Sequence, residues 1–193
     1  MLKRVLPYAH ELMQQAIKPG ETVIDATCGN GNDTVFLSEV TGPTGKVYAF
    51  DIQEQAINNT KQKLMDAKVT NVQLIHDGHQ HVEQYIATEE QGKVAAAIFN
   101  LGYLPGSDKQ VITIPENTIT AIDKLTKVLK PSGIIVCVVY YGHDGGQTEK
   151  NALLEHLHHY DQKYFQVLQY GFINQKNNPP FILAIQKTNR LNA

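Results

Sequence analysis

The chain has 193 residues, 42% of them hydrophobic and 19% charged, with a formal net charge of −2. That mix is ordinary for a globular protein, so fibrous and disordered classes drop out, and the length points to one domain over residues 1–193 with a full core. A dedicated duplex binder is usually basic overall, so any nucleic-acid role must rest on a local patch rather than on bulk charge.

Apolar runs alternate with helical patterns along the chain, the signature of parallel βαβ units. Residues 4–17 read as a leading amphipathic helix stopped by Lys18-Pro19-Gly20. Its basic pair, Lys3-Arg4, is followed by no long apolar stretch and no small-residue cleavage site, so it does not read as a secretion signal. Nor does any apolar run approach the ~20 residues that span a bilayer. Strand one is expected at 22–25, a helix at about 32–39, strand two at 46–50 and a clean amphipathic helix at 53–67. Strand three follows at 72–75, a helix at about 81–88, and an alanine-rich strand four at 94–99. Pro115 opens a helix over 116–129, which stops at Lys130-Pro131-Ser132-Gly133. Strand five, 134–140, is the most β-branched run, and a helix is expected at about 149–160. Two last strands, 164–171 and 181–186, are separated by too short a connection for a crossover helix, so they must be antiparallel.

The chemistry gathers at the ends of these strands. Strand one closes on Asp25, and after Ala26, Thr27 and Cys28 come Gly29 and Gly31, with Asn30 between and Asn32-Asp33 opening a helix. A strand, a tight glycine turn and a helix N-terminus make the usual place for a nucleotide-like ligand in α/β proteins. Asp51 lies at the end of strand two, 20 residues past Gly31, where an acid can accept hydrogen bonds from both hydroxyls of a ribose. The dinucleotide fingerprint G-x-G-x-x-G fails, because Thr34 stands where the third small residue belongs. Asp25 also precedes the turn, where a carboxylate repels a pyrophosphate and welcomes an ammonium. S-adenosylmethionine has a ribose, an adenine and a cationic amino-acid tail without phosphate, and fits that pattern.

With these residues the chain resembles the class I S-adenosylmethionine-dependent methyltransferases. Asp25-Ala26-Thr27-Cys28-Gly29-Asn30-Gly31 is similar to their first motif, Asp51 to their acidic ribose residue, and His76-Asp77-Gly78 to their third motif. Asn100-Leu101-Gly102-Tyr103 resembles their N-P-P-Y-type fourth motif. A closer resemblance is to a small bacterial rRNA methylase branch, through D-A-T-C-G-N-G-N-D-T, F-D-I-Q, N-L-G-Y-L-P-G and Y-Y-G-H-x-G-G. That branch includes a methyltransferase for 5-aminomethyl-2-thiouridine at the tRNA wobble position. The resemblance implies a Rossmann-like, mostly parallel seven-stranded sheet with helices on both faces and a C-terminal antiparallel hairpin. It implies S-adenosylmethionine as cofactor and the anticodon region of tRNA as partner. It also implies a cofactor site built from Asp25, Cys28, Gly29, Asn30, Gly31, Asn32 and Asp33, from Asp51, Ile52 and Gln53, and from Asp77, Gly78, His79 and Asn100.

Methyl transfer to nitrogen is an in-line displacement, so the protein must align a neutral amine with the methyl group and keep water away. Acceptors at Asn100 Oδ1 and the Leu101 carbonyl are expected to hold the amine, with Tyr103 stacking on the base. Leu104, Pro105, Tyr140, Tyr141 and His143, at the carboxyl ends of strands four and five, and Lys176 in the last loop, are expected on the substrate side. No proton acceptor stands out. His76, Asp77, His79 and His81 cluster in sequence, but a strand followed by a helix scatters them, so no metal is expected. Cys28 and Cys137 give neither a disulfide framework nor zinc spacing, which points to the cytoplasm. A homodimer would extend an RNA surface, although no stretch demands it. Two further readings stay open: a methyltransferase for rRNA or a small molecule, and a non-catalytic cofactor- or RNA-binding module.

Overall fold

The computed structural model describes residues 1–102 and 114–189. In chain order it runs α1 (Val5–Ala16), β1 (Thr22–Asp25), α2 (Asn32–Thr41), β2 (Lys46–Asp51), α3 (Glu54–Asp66) and β3 (Val72–His76), then β4 (Val94–Leu101), α4 (Pro115–Val128), β5 (Leu129–Val139), α5 (Gly146–His158), β6 (Phe165–Tyr170) and β7 (Phe181–Lys187). The seven strands form one sheet in the order β3-β2-β1-β4-β5-β7-β6. β1 pairs in parallel with both β2 and β4, and β7 enters between β5 and β6 antiparallel to each.

The central strands of the sheet are buried on both faces, which is why they read as unbroken apolar runs instead of alternating ones. From Val94 to Phe99 every side chain of β4 is inaccessible to solvent. Alternate residues of β5 and β7 divide between two cores. Cys137, Val139, Leu183 and Ile185 face α4 and α5 through Ile122, Leu125 and Leu153. Val136, Val138, Ile182 and Ala184 face α1 and α2 through Ala9, Met13 and Leu37. Because β1 sends the chain to β2 on one side while β4 lies on its other, a crevice opens at the carboxyl ends between them.

Three elements differ from their expected form. The helix expected at 81–88 is two 3₁₀ turns, His79–Gln84 and Thr88–Glu90. So short a helix is marginal by itself, and here side chains fix the segment from outside: His79 bonds the Ala26 carbonyl while His81 and Tyr85 both reach Asp77. Lys130 to Gly133 end α4 as expected, yet they form an excursion within β5 and not a loop before it, since Val94 pairs with Leu129 and Ala96 with Ile134. Gly133 is required there, because a Cβ would sit 2.9 Å from the Lys130 carbonyl oxygen and 3.1 Å from that of Ala95. Finally, β4 runs on to Leu101, so Asn100 and Leu101 belong to a paired strand, opposite Val138 and Val139.

Candidate functional site

The carboxyl ends of β1 to β4, the residue after β5, the first half of α1 and the start of α4 enclose a cavity of about 540 Å³, within the range that holds small ligands. Its floor is the turn after β1. Gly29 and Gly31 both adopt positive φ, +50° and +76°, which favours glycine. A Cβ on Gly31 would also approach the Thr60 backbone and side chain to 3.1 Å, so α3 closes on the turn only because none is present. Thr60 completes the contact by donating its hydroxyl to the Gly29 carbonyl at 3.0 Å.

Thr27 stands where the related motif often has glycine, and its side chain has a structural use. The Ala26 N–H continues the β1–β4 ladder by donating to the Ile98 carbonyl. The Thr27 hydroxyl then accepts the Asn100 N–H at 2.7 Å, standing in for the next rung. Cys28 is buried, and burial pushes its thiol well above the usual range, so it is no nucleophile.

Asp51 crosses over this turn from the end of β2. Its Oδ2 accepts the Gly29 N–H and its Oδ1 the Gln53 N–H, each at 3.0 Å. These backbone bonds, with the Ile52 N–H also acting on the carboxylate, orient the group, and Asp51 lines the cavity as an acceptor suited to ribose hydroxyls. Ile52 and Gln53 line the cavity beside it.

The two acids of the first motif part company. Asp25 is wholly buried and is not on the cavity wall. Its carboxylate accepts the Thr34 hydroxyl at 2.6 Å and the Thr27 N–H at 3.2 Å. Burial, then the charge of Asp33, pushes its carboxyl up to about 7. The expectation that Asp25 faces a ligand ammonium is therefore corrected: α2 and β4 close over it. The acid on the wall at this end is Asp33, in the first turn of α2. Gly31 likewise lies behind the wall, while Cys28, Gly29, Asn30 and Asn32 are on it.

Because the folded-state value of Asp25 lies above the ordinary 3.8, its protonated form is favoured by folding. The contribution is complete below the unfolded value and is lost as pH rises through about 7. Asp25→Asn, which holds the neutral shape at every pH, should gain stability relative to the natural chain between pH 5 and pH 8. Urea midpoints of both proteins across that range test this, and a constant difference would refute it.

At the β3 end, Asp77 and Gly78 line the cavity. Asp77 Oδ1 accepts the Gly78 N–H at 2.7 Å and the His81 ring at 2.9 Å, and Oδ2 accepts the Tyr85 hydroxyl at 2.8 Å. The His81 bond leads these in holding its carboxyl below the usual range. His79 donates Nδ1–H to the Ala26 carbonyl at 3.0 Å. Burial pushes its pKa down, so the ring stays neutral, with a buried Nε2 that meets no partner among the described residues. His76 turns away to the Ile52 carbonyl. Among the described residues no group of three His, Cys, Asp or Glu side chains is placed to hold a metal ion.

Asn100 and Leu101 bring β4 to the cavity. The Asn100 amide donates Nδ2–H to Asp33 Oδ2, and Oδ1 meets no hydrogen-bond donor among the described residues. The Leu101 carbonyl is already taken by the Tyr140 N–H at 3.0 Å, so the expected pair of acceptors reduces to one group with full capacity. Tyr140 lines the cavity; burial and then the charge of Asp33 push its phenol up, which keeps it neutral. Tyr141 and His143 lie off the cavity wall, as does Lys176. Tyr141 packs edge-on against Phe181, and Lys150 lies over its ring. Tyr103, Leu104 and Pro105 fall outside the described residues. The cavity also takes Leu6 and His10 from α1 and Asn117 from α4. No local pattern singles out these three, because helix packing alone brings them to the strand ends.

The family model "Putative rRNA methylase" matches residues 47–186, from β2 into β7. The chain belongs to that family. Two solved structures are similar to it over nearly their whole length. A "putative rRNA-methylase" from Clostridium thermocellum is 47% identical with a TM-score of 0.93, covering 97% of this chain and 99% of that one. A "putative methyltransferase" from Streptococcus mutans, solved in complex with SAH, is 46% identical with a TM-score of 0.88 and the same coverage. The chloroplastic tRNA (mnm(5)s(2)U34)-methyltransferase of Arabidopsis thaliana is 41% identical over 157 residues, 76% of this chain and 56% of that protein. The chain spans about half the length of the curated relatives it matches. No helix among the described residues is long and apolar enough to cross a membrane.

Proposed function

We propose that this rRNA methylase family member is an S-adenosylmethionine-dependent N-methyltransferase acting on the aminomethyl group of 5-aminomethyl-2-thiouridine at the tRNA wobble position. The observation that carries the reading is the pairing, in one cavity, of the Asp51 carboxylate with Asn100, whose amide NH₂ is held by Asp33 so that Oδ1 turns the other way. The cavity suits the cofactor in size, in the Asp51 capacity for a ribose, and in having Asp33 as an acid on its wall. SAH in the Streptococcus mutans relative supports that choice. The name of the Arabidopsis relative supports the acceptor.

The cofactor supplies an electrophilic methyl group on a sulfonium that departs as a neutral thioether. The chain has to bind, orient and dry the reactants. A free alkyl amine has a pKa of roughly 10 and arrives protonated. The ammonium gives its extra proton to solvent water as it enters; Asn100 Oδ1 then accepts one N–H of the neutral amine and so aims its lone pair. Asp51 anchors the ribose hydroxyls. Tyr140 stays a neutral phenol and is not the base. The reading covers residues 1–193 as a single methyltransferase domain, with a cytoplasmic location and the anticodon region of tRNA as partner.

The family's description favours rRNA as the second reading. Incubating the protein with methyl-labelled S-adenosylmethionine and, separately, bulk tRNA and rRNA decides between them. Label in tRNA that maps to the anticodon loop is the expected result. Label in rRNA alone would overturn the proposed acceptor, and label in neither would overturn the reaction.

A further inference from the structure

We propose that His10, on the leading helix, is a positioning residue for methyl transfer that acts through Asp33 on Asn100. The inference rests on the proposed function and supplies what that reading lacks, a cause for the orientation of the Asn100 amide.

The torsion that ends an asparagine side chain is broad and nearly two-fold, so rotamer preference does not choose which end of the amide faces a ligand. Hydrogen-bond partners choose. Asp33 is a carboxylate that only accepts, and its Oδ2 lies against Asn100 Nδ2. The amide must therefore turn its NH₂ inward and its Oδ1 to the cavity. Asp33 ends in an equally soft torsion and needs its own restraint. That restraint is His10, whose Nε2 lies 2.7 Å from Asp33 Oδ1 and must be the donor, because the carboxylate has no hydrogen to give. The ring of His10 is held in turn by stacking on Phe36 of α2, with centroids 4.0 Å apart and planes within 9°. A chain of contacts thus runs from Phe36 through His10 and Asp33 to Asn100, whose Oδ1 is the acceptor proposed for the substrate amine.

The other ionisable groups near Asp33 are Asp25 beneath it and Tyr140 at the end of β5, both of which feel its charge. Among the described residues the hydrogen bonds to Asp33 come from His10 and Asn100, so neither Asp25 nor Tyr140 replaces His10.

Two variants separate the donor from the ring. H10F keeps the ring stack on Phe36 and removes the N–H; H10Q restores an N–H and removes the ring. With wild type transferring methyl to 5-aminomethyl-2-thiouridine tRNA in single turnovers, H10F should be slower by about tenfold or more, the usual penalty for a misaligned reacting group. H10Q should recover part of that loss. SAH affinity by calorimetry should fall by less than the rate does in H10F, because Asn100 still holds Asp33 at the wall. The Asn100 side-chain NH₂ proton signals should shift in H10F even without ligand, a readout independent of activity. A loss in H10F that vanishes above about pH 10, where the amine enters neutral, would make His10 a proton acceptor and overturn the positioning role. Equal rates and unchanged Asn100 signals would also overturn it. A wild-type protein that transfers no methyl group would instead sink the proposed function.

Discussion

Asp51→Ala is expected to weaken S-adenosylmethionine binding by about 100-fold or more while the fold survives. Bonds to a charged acceptor contribute about 1.5–3 kcal/mol each, and two ribose hydroxyls would lose one apiece. The same change strips the Gly29 and Gln53 N–H groups of their shared acceptor, so the turn loses orientation as well as the ligand its anchor. The cost to stability should be smaller, because Asp51 is only partly buried and water can reach the freed N–H groups. Calorimetric titration of both proteins with S-adenosylmethionine, beside their thermal midpoints, measures the two effects separately. Equal affinities would remove the ribose assignment.

Asn100→Ala is expected to do the reverse, cutting the single-turnover rate by about 10²–10³ with little change in cofactor affinity. That is the usual effect of losing one preorganised polar group at the reacting atoms. The backbone rung that Asn100 makes with Thr27 survives the substitution, because it uses the Asn100 N–H. Asp33 stays bonded to His10, so the wall keeps its shape. Single-turnover rates, with SAH affinity as the control, separate the reacting end of the cavity from the binding end. A rate loss matched by an equal loss of affinity would assign Asn100 to cofactor binding instead.

Much of the fold is legible before folding. The glycine turn, the acid closing β2 and the late antiparallel pair each depend on near neighbours in the chain, and each stands where the sequence pattern puts it. The helix expected at 81–88 fails because its conformation is set by Asp77 and the Ala26 carbonyl, partners that local periodicity does not register. The Leu101 carbonyl loses much of its expected role for a similar reason. Which strand lies beside β4, and in what register, decides that Tyr140 takes it.

The acids of the first motif draw the line most sharply. The sequence by itself determined that a carboxylate-rich glycine turn sits at the carboxyl end of a central strand, since apolar runs, glycines and breakers act over a few residues. Only the tertiary structure decided that Asp25 is sealed under α2 and β4 while Asp33, eight positions on, reaches the cavity wall. It likewise decided that His10 of α1 meets Asp33, because the leading helix is laid across the sheet by Ala9 and Met13 in the core. Burial and side-chain partnership are sums over distant elements, and no stretch of chain carries them alone.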